Sequence, residues 1–256
     1  MPSDAELFRK SLQDLEFMSL TIEPLGYIQS PYAEKFSVPR QPGLVTATST
    51  QLIFTAPFND LDMLDEIEQF SHFWLMFAFH QNISAGWKAK VRPPRLGGNK
   101  KVGVLASRSS FRPNHLGLSL MELSHVERNT SAPVLHFKGG DLVHGTPIYD
   151  VKPYLPYSDS VTDAKAGYAQ NQPRSELSVG WTDAAKQQAL QLNINTEQSL
   201  VIEQVLAQDP RPAYKRLKLD DKVYGVRLYQ FNLRWQVFGL PSEAQQLLIL
   251  SVQYAC

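Results

Sequence analysis

The richest concentration of residues that could bind a ligand lies between positions 88 and 120. Eight lysines and arginines occur from position 88 to position 112, and no aspartate or glutamate interrupts them. Such a basic stretch, flanked by Trp87 and Phe111, is typical of a surface that contacts the phosphates and bases of a polyanion. The alternative is a solvated basic face, but the absence of acidic residues over 25 positions favours RNA.

Four further segments combine rigid backbone with polar side chains. Residues 108–119 hold two arginines around a Pro-Asn turn, which would present planar guanidinium groups to a ligand or, alternatively, to solvent. Residues 141–156 form a proline-rich ridge that carries Asp141 and Asp150. Residues 38–43 form a rigid loop between strands, and residues 209–214 hold an arginine and a tyrosine after a helix.

Candidates for a general base are Asp141, Asp150, His80 and His144, although a structural role is the more common one for isolated residues of these types. The sequence predicts no metal site, because its six histidines form no HxH or HxxxH pair and its one cysteine is Cys256. It also contains no GxGxxG after a strand, so a dinucleotide-type cofactor loop is excluded.

Composition restricts the class of protein. The chain has 256 residues, 25 basic and 25 acidic residues, and 43% hydrophobic residues, as expected for one or two globular domains. A single cysteine excludes a disulfide framework. The longest apolar run, residues 73–79, is far shorter than the ~20 residues of a membrane span. Residues 1–20 lack the apolar core of a signal peptide, so we expect a cytoplasmic protein without a membrane segment.

The elements that would position these residues fall into two regions. Residues 21–156 contain short apolar and β-branched segments separated by turn residues, which indicates a mainly β barrel or sandwich. The predicted strands are 21–28, 51–55, 72–79, 102–107, 118–126, 134–137 and 148–152. One helix is predicted at 61–70, capped by Asn59 or Asp60.

The remaining segments are an N-terminal helical extension at residues 1–20, a polar linker at 157–175 and a small α+β domain at 176–256. In that domain we predict helices at 184–192 and 197–208, the second with Asn195 as its cap and Gln198 reaching back. Strands are predicted within 223–237, with a turn near 230–232, and at 247–252.

Five blocks in order give the chain a family resemblance: PRQPGLV (39–45), VRPPRLGGN (91–99), ASRSSFRPNHLGLSL (106–120), DLVHGTPIYDVKPYLP (141–156) and AQDPRPAYK (207–215). Together they resemble the TsaA/YaeB-like family of tRNA methyltransferases, which depend on S-adenosylmethionine. Members methylate N6 of the threonylcarbamoyl-adenosine on the 3′ side of the anticodon. The resemblance implies a β-barrel catalytic domain unlike the Rossmann-type methyltransferases, a small α+β C-terminal domain, and a homodimer with cofactor sites near the subunit interface.

The resemblance also implies site residues. Those expected to bind the cofactor are Pro39, Arg40, Gln41, His80, Gln81, Arg108, Leu118, Gly139, Gly140 and Asp141. The residues expected at the tRNA surface follow instead from the basic stretch and the C-terminal motif: Lys88, Lys90, Arg92, Arg95, Arg112, Arg211, Tyr214 and Lys215. The chain departs from the family at Gly139 and Gly140, at His115, where proline is usual, and at His144, where aspartate is usual.

Two other functions remain open from the sequence. A non-catalytic RNA-binding adapter would keep the basic face, and the departure at His144 motivates this alternative. An S-adenosylmethionine-dependent enzyme that acts on a small metabolite would not need the basic face at all.

Overall fold

The computed structural model describes residues 20–129, 131–171, 177–216, 218, 220–240 and 245–255. The helical extension predicted at residues 1–20 therefore lies outside the described residues, except for Leu20.

Among the described residues, strands and short helices alternate through the first two thirds of the chain, and the longer helices follow. The strands are β1 (Gly26–Gln29), β2 (Ser49–Phe54), β3 (His72–Ala78), β4 (Lys90–Val91), β5 (Val102–Gly103), β6 (Leu116–Glu127), β7 (Val134–Lys138), β8 (Pro147–Pro153), β9 (Ser178–Trp181), β10 (Tyr224–Leu228), β11 (Phe231–Phe238) and β12 (Gln246–Tyr254). The α-helices are α1 (Pro156–Asp159), α2 (Asp183–Gln191) and α3 (Thr196–Ala207). Short 3-10 helices cover Leu61–Leu64, Ile67–Gln69, His80–Ala85, Pro94–Leu96, Val104–Ala106, Pro113–His115, Gly167–Ala169 and Ala213–Lys215.

Six strands of the N-terminal region form a closed antiparallel barrel in the order β1-β2-β7-β6-β3-β8. Alternate side chains of these strands point inward and form one core, as the two-residue period of a strand dictates. Gly26 sits where β1 passes both β2 and β8, and a Cβ there would lie 2.2 Å from the Ile53 carbonyl oxygen. The structure thus selects the barrel over the sandwich that the strand pattern also allowed.

Two local predictions were wrong. Residues 102–107 do not join the barrel, because the strand in this segment is limited to Val102–Gly103, which pairs with β4 in a separate two-stranded ribbon, and a 3-10 helix follows at Val104–Ala106. The helix expected at 61–70 is two 3-10 helices instead, since Glu66 adopts a left-handed φ of 63° between them. Asp60 does cap the first of them, accepting a hydrogen bond from the Asp62 N–H at 3.1 Å.

The C-terminal domain is a four-stranded sheet in the order β10-β11-β12-β9, packed against α2 and α3. Both predicted helices are confirmed, and the Asn195–Gln198 capping box is present. Strand β9 was missed, because its four residues include Gly180 and lie beside the polar linker. It pairs in parallel with β12.

The segment predicted as a linker is attached to the barrel. Its first turn is α1, where the Asp159 carboxylate accepts hydrogen bonds from the Trp74 indole at 3.0 Å and the Leu155 N–H at 3.2 Å. Farther on, the Tyr168 hydroxyl donates to the Ala106 carbonyl at 3.3 Å.

Candidate functional site

A cavity of about 240 Å³ opens at the end of the barrel where β3 finishes. Segments from four parts of the chain line it: Lys35, Val38, Phe77, Ala78, Phe79, His80, Gln81, Asn82, Arg108, Ser110, Asp141, Leu142, Val143 and Thr146. Four of the ten residues predicted to bind a cofactor, His80, Gln81, Arg108 and Asp141, are therefore brought together around one space.

The end of β3 places His80 and Gln81 at this cavity. The strand stops at Ala78, and the next residue, Phe79, donates its N–H to the His115 carbonyl at 2.8 Å. A 3-10 helix, His80–Ala85, then turns the chain across the cavity mouth. His115 has a φ of 54°, which a proline ring excludes, so the turn here differs from one built on the usual proline.

Gly139 and Gly140, which depart from the family pattern, are required by this local packing. Gly139 has a φ of 63°, and its N–H and carbonyl bond to Thr48 and Gly43, each at 2.8 Å. A Cβ on Gly140 would lie 2.3 Å from the Thr50 hydroxyl oxygen. Neither glycine lines the cavity, but their tight turn delivers Asp141 to it.

Asp141 is the principal charged group inside the cavity. Its carboxyl is partly buried and accepts a hydrogen bond from the Ser119 hydroxyl. Burial raises the pKa of Asp141 to about 6, although the Ser119 hydrogen bond and the charge of Arg108 act in the opposite direction. Burial also lowers the pKa of His80, which disfavours the protonated form of its imidazole.

The loop with Pro39, Arg40 and Gln41 is connected to the cavity through Arg108. The Arg108 guanidinium donates to the Gln41 side-chain oxygen, which joins the loop to the 108–119 turn. Pro39 is buried and Arg40 is exposed. Leu118, with 63% of its surface exposed on β6, points away from the cavity.

Several lining residues were missed from the sequence. Phe77 lies in the apolar strand β3 and Phe79 directly follows it, so both look like ordinary core residues, while Lys35 and Val38 precede the 39–45 block. The 141–156 block contains the lining residues Leu142, Val143 and Thr146. This block is the sequence feature from which they could have been predicted.

The four candidate bases separate into two pairs. His80 and Asp141 line the cavity. Asp150 is exposed on β8, with its carboxylate accepting from the Val151 N–H at 2.9 Å. His144 is exposed and does not line the cavity, so its replacement of the usual aspartate leaves the cavity lining unchanged.

The basic stretch forms an exposed surface beside the cavity. The ribbon of β4 and β5 carries Lys90, and Lys88 lies with its Nζ 4.3 Å from the centroid of the Phe111 ring. Trp87 is 61% exposed next to them. Arg112 is partly buried and donates to the Ser107 carbonyl at 2.7 Å, whereas Lys88, Lys90, Arg92 and Arg95 are exposed. The exposed Arg95 also donates to the carbonyl oxygens of Ala169 and Asn171.

The residues expected near the C-terminal motif have different environments. Tyr214 is 60% exposed and Lys215 is half-buried. Arg211 is only 2% exposed and forms a bidentate pair with Asp209, with both N–O distances at 2.8 Å. A guanidinium that is buried and paired in this way does not reach a phosphate, so we correct the expectation that Arg211 lies on the RNA-facing surface.

Among the residues that the structure describes, no group of three or more histidine, cysteine, aspartate or glutamate side chains could hold a metal ion. None of the described helices is long and apolar enough to cross a membrane.

Comparison with known proteins gives matches that span most of the chain. The model of the tRNA-methyltransferase O N-terminal domain matches residues 27–160, and that of the TrmO C-terminal domain matches residues 174–253. A tRNA (adenine(37)-N6)-methyltransferase of Escherichia coli is 49% identical over 86% of this chain and 94% of its own length. A Pseudomonas aeruginosa relative assigned by name to the S-adenosylmethionine-dependent methyltransferases is 43% identical over 85% of this chain and 93% of its own length. A crystal structure of TrmO from Pseudomonas aeruginosa superposes with a TM-score of 0.73 at 34% identity, covering 94% of this chain and 99% of that one.

Proposed function

Because the chain belongs to the TrmO family of tRNA methyltransferases, we propose that it methylates N6 of the adenine at position 37 of tRNA with S-adenosylmethionine as the methyl donor. The observation that carries this conclusion is 49% identity to a tRNA (adenine(37)-N6)-methyltransferase over 94% of that relative. The barrel and the C-terminal domain both match, and the superposition covers 99% of the TrmO chain from Pseudomonas aeruginosa.

The cavity residues fit the donor. S-adenosylmethionine supplies an activated methyl group on a positively charged sulfur, together with an adenosine and an amino acid group. Asp141 offers a carboxylate to the cavity. Its pKa is raised because burial outweighs the charge of Arg108, so a positively charged group bound in the cavity would stabilise the ionised carboxylate. Phe77 and Phe79 offer apolar ring surface, and Arg108 offers a planar cation suited to a carboxylate.

The cavity residues of this chain contribute mainly by holding the donor in position and by excluding water from the cavity. The aromatic rings and Val38 keep water from part of the cavity, which strengthens the attraction between Asp141 and a cation. Correct placement of the two reacting groups accounts for several kcal/mol of the barrier in reactions of this type, about 7 or more in favourable cases. Burial disfavours the protonated form of His80, so its imidazole offers a hydrogen-bond acceptor to a polar group that enters the cavity.

The tRNA surface is the basic region beside the cavity, with Tyr214 and Lys215 at the C-terminal motif. The exposure of the side chains supports this assignment. Phosphates could approach Lys88, Lys90 and Arg92, which are exposed, and the exposed ring of Tyr214 could stack on a base. Threonylcarbamoyl-adenosine is the proposed acceptor. The enzyme acts as a homodimer in the cytoplasm, where its tRNA substrate is found.

The test uses donor labelled in its methyl group and tRNA purified from cells with and without the threonylcarbamoyl modification. We expect label on adenosine 37 of modified tRNA, located by nuclease digestion and mass spectrometry, and little on unmodified tRNA. Titration calorimetry with the donor alone is run in parallel. Donor binding without label transfer to either tRNA would contradict the proposed function, and salt-sensitive tRNA affinity without donor binding would favour the adapter.

A further inference from the structure

We propose that the C-terminal domain forms part of the donor-binding machinery, and that Gln204 is a positioning residue which holds one wall of the cavity in place. The inference rests on the proposed function, since it concerns the cavity assigned to the methyl donor. It extends that function because none of the described residues of the C-terminal domain lines the cavity.

The wall in question is the loop of residues 30–48 between β1 and β2. Lys35 and Val38 of this loop line the cavity, and Gln41 bonds to the lining residue Arg108. A loop of this length has many conformations available when its ends alone are fixed, and ordering it has an entropic cost. Contacts along its length must therefore hold the lining residues in position.

Those contacts are made with the C-terminal domain. Tyr32 and Val45 are completely buried in the core cluster built from α3 and the four-stranded sheet. Val38 packs against the same cluster while it also lines the cavity. One side chain thus touches both the core of the C-terminal domain and the space assigned to the donor.

Backbone hydrogen bonds reinforce this packing. Tyr32 forms an antiparallel bridge with Leu228 of β10, and the Tyr229 N–H donates to the Pro31 carbonyl at 2.7 Å. The Arg227 N–H donates to the Glu34 carboxylate at 3.1 Å. The edge of the C-terminal sheet therefore fixes the first third of the loop.

The same loop supports a second wall of the cavity. The Tyr32 carbonyl accepts from the His144 N–H at 2.9 Å, and the Ser30 hydroxyl donates to the Leu142 carbonyl at 2.7 Å. Leu142 and Val143 line the cavity. A displacement of the loop would therefore be transmitted to both walls.

Gln204 fixes the far end of the loop. It lies on α3, where its side-chain oxygen accepts from the Ala47 N–H at 3.1 Å and its amide nitrogen donates to the Thr46 hydroxyl at 3.2 Å. Both the oxygen and the nitrogen of the Gln204 amide form hydrogen bonds to the loop. A residue of similar size without an amide could not form them.

The test replaces the amide and measures donor binding in the absence of tRNA. We expect Gln204→Leu to raise the Kd for S-adenosylmethionine by about 3- to 10-fold, the effect of losing two partly exposed hydrogen bonds that order the wall. Gln204→Glu keeps an acceptor for the Ala47 N–H, so it should recover most of the affinity. Because the donor site is pre-ordered rather than chemically altered, KM for the donor should rise more than kcat falls.

The matched control is Gln188→Leu on α2. Gln188 also uses its side-chain oxygen to accept a backbone N–H, that of Val252 at 2.9 Å, but within the C-terminal domain. Unchanged donor affinity in Gln204→Leu would overturn the inference. Equal weakening in both variants would overturn it too, since general loosening of the domain would then be the cause. Failure of the wild-type protein to bind the donor would refute the proposed function itself.

A second pair tests the apolar anchor. Val45→Ala and Val237→Ala each truncate a buried valine of the same core cluster, the first on the loop and the second on β11. Both should lower Tm by a similar amount, and only Val45→Ala should also weaken donor binding. Equal donor affinity in the two variants would contradict a role for the loop anchor.

Discussion

Replacement of Asp141 by asparagine should stabilise the free protein while it weakens donor binding. The pKa of Asp141 is raised by burial from 3.8 to about 6. That difference corresponds to about 3 kcal/mol of lost folding free energy once the carboxyl is ionised. Asparagine keeps an oxygen to accept from the Ser119 hydroxyl but carries no charge, so it removes the loss.

The pH dependence has a defined sign. Between pH 4 and 6 the unfolded chain has an ionised Asp141 while the folded protein keeps it protonated, so wild-type stability falls as pH rises through this window. Above pH 6 both states are ionised and the loss is constant. We therefore expect the advantage of Asp141→Asn in Tm to grow from near zero at pH 4 to about 5–10 °C at pH 7.5.

Donor affinity should depend on the same proton. A positive sulfonium near Asp141 favours the ionised carboxyl, so the donor must displace a proton below pH 6. Calorimetry at pH 5, 6 and 7 should show affinity rising with pH, by at most about tenfold per unit at the acidic end. In Asp141→Asn the affinity should be lower and independent of this proton.

Thermal unfolding by circular dichroism across pH 4 to 8 checks the stability half of this prediction. Asp150→Asn is the control, because it removes an exposed carboxylate from β8 of the same barrel. A difference in Tm between Asp141→Asn and wild type that stays flat with pH would refute the reasoning. So would an Asp141→Asn protein less stable than wild type at pH 7.5.

Three further changes have expected outcomes. Gly140→Ala should destabilise by about 1–3 kcal/mol in urea unfolding, because its Cβ would overlap the Thr50 hydroxyl, whereas Gly103→Ala, with open space around it, should cost under about 1 kcal/mol. Asn195→Ala should destabilise by about 1 kcal/mol through loss of the capping box on α3, measured in the same way. Charge reversal of the exposed Lys88, Lys90 and Arg92 should reduce the salt dependence of tRNA binding, measured in filter assays. It should leave donor affinity unchanged.

The strand segments could be predicted from sequence because short runs of β-branched, aromatic and aliphatic residues are separated by turn residues. The expected segments 134–137 and 148–152 fall within β7 and β8. The same rule failed at residues 102–107, where valines favour a strand locally but no barrel neighbour is available, so only Val102–Gly103 pairs with β4. The strand pattern alone left a barrel and a sandwich open, since closure depends on β1 meeting β8 across more than a hundred residues; the family resemblance implied the barrel, and the structure confirms it.

The candidate site was predictable only where residue type is informative. Arg108 and Asp141 stand out as charged residues in rigid turns, and both line the cavity. Phe77 and Val38 line it as well, but an apolar residue gives no indication of whether it faces a core or a ligand. Arg211 shows the converse error, because its charge suggested an exposed role while Asp209 holds it inside the domain.

The barrel topology explains why distant segments converge. Ala78 at the end of β3 pairs with Leu116 at the start of β6, so the 79–115 connection begins and ends at one rim. The start of β8 lies at that rim too, since Ile148 pairs with Phe77. The end of β1 lies there as well, because the Ile28 N–H donates to the Thr146 carbonyl just before β8. The antiparallel order thus directs the long connections that carry the lining residues to the same end of the barrel.

The chain nevertheless leaves the barrel at the other rim. Pro153 at the end of β8 pairs with Phe73 near the start of β3, and seven residues of strand span about 20 Å. The C-terminal domain contacts the 30–48 loop at the cavity rim, so the segment after β8 must run back along the barrel. Tyr168 and Arg95 mark that return path through their hydrogen bonds between this segment and the basic region. The length of the segment between β8 and β9 allows a domain attached at one end of the barrel to support the donor cavity at the other end. Shortening this segment should detach the C-terminal domain from the 30–48 loop even if both domains fold.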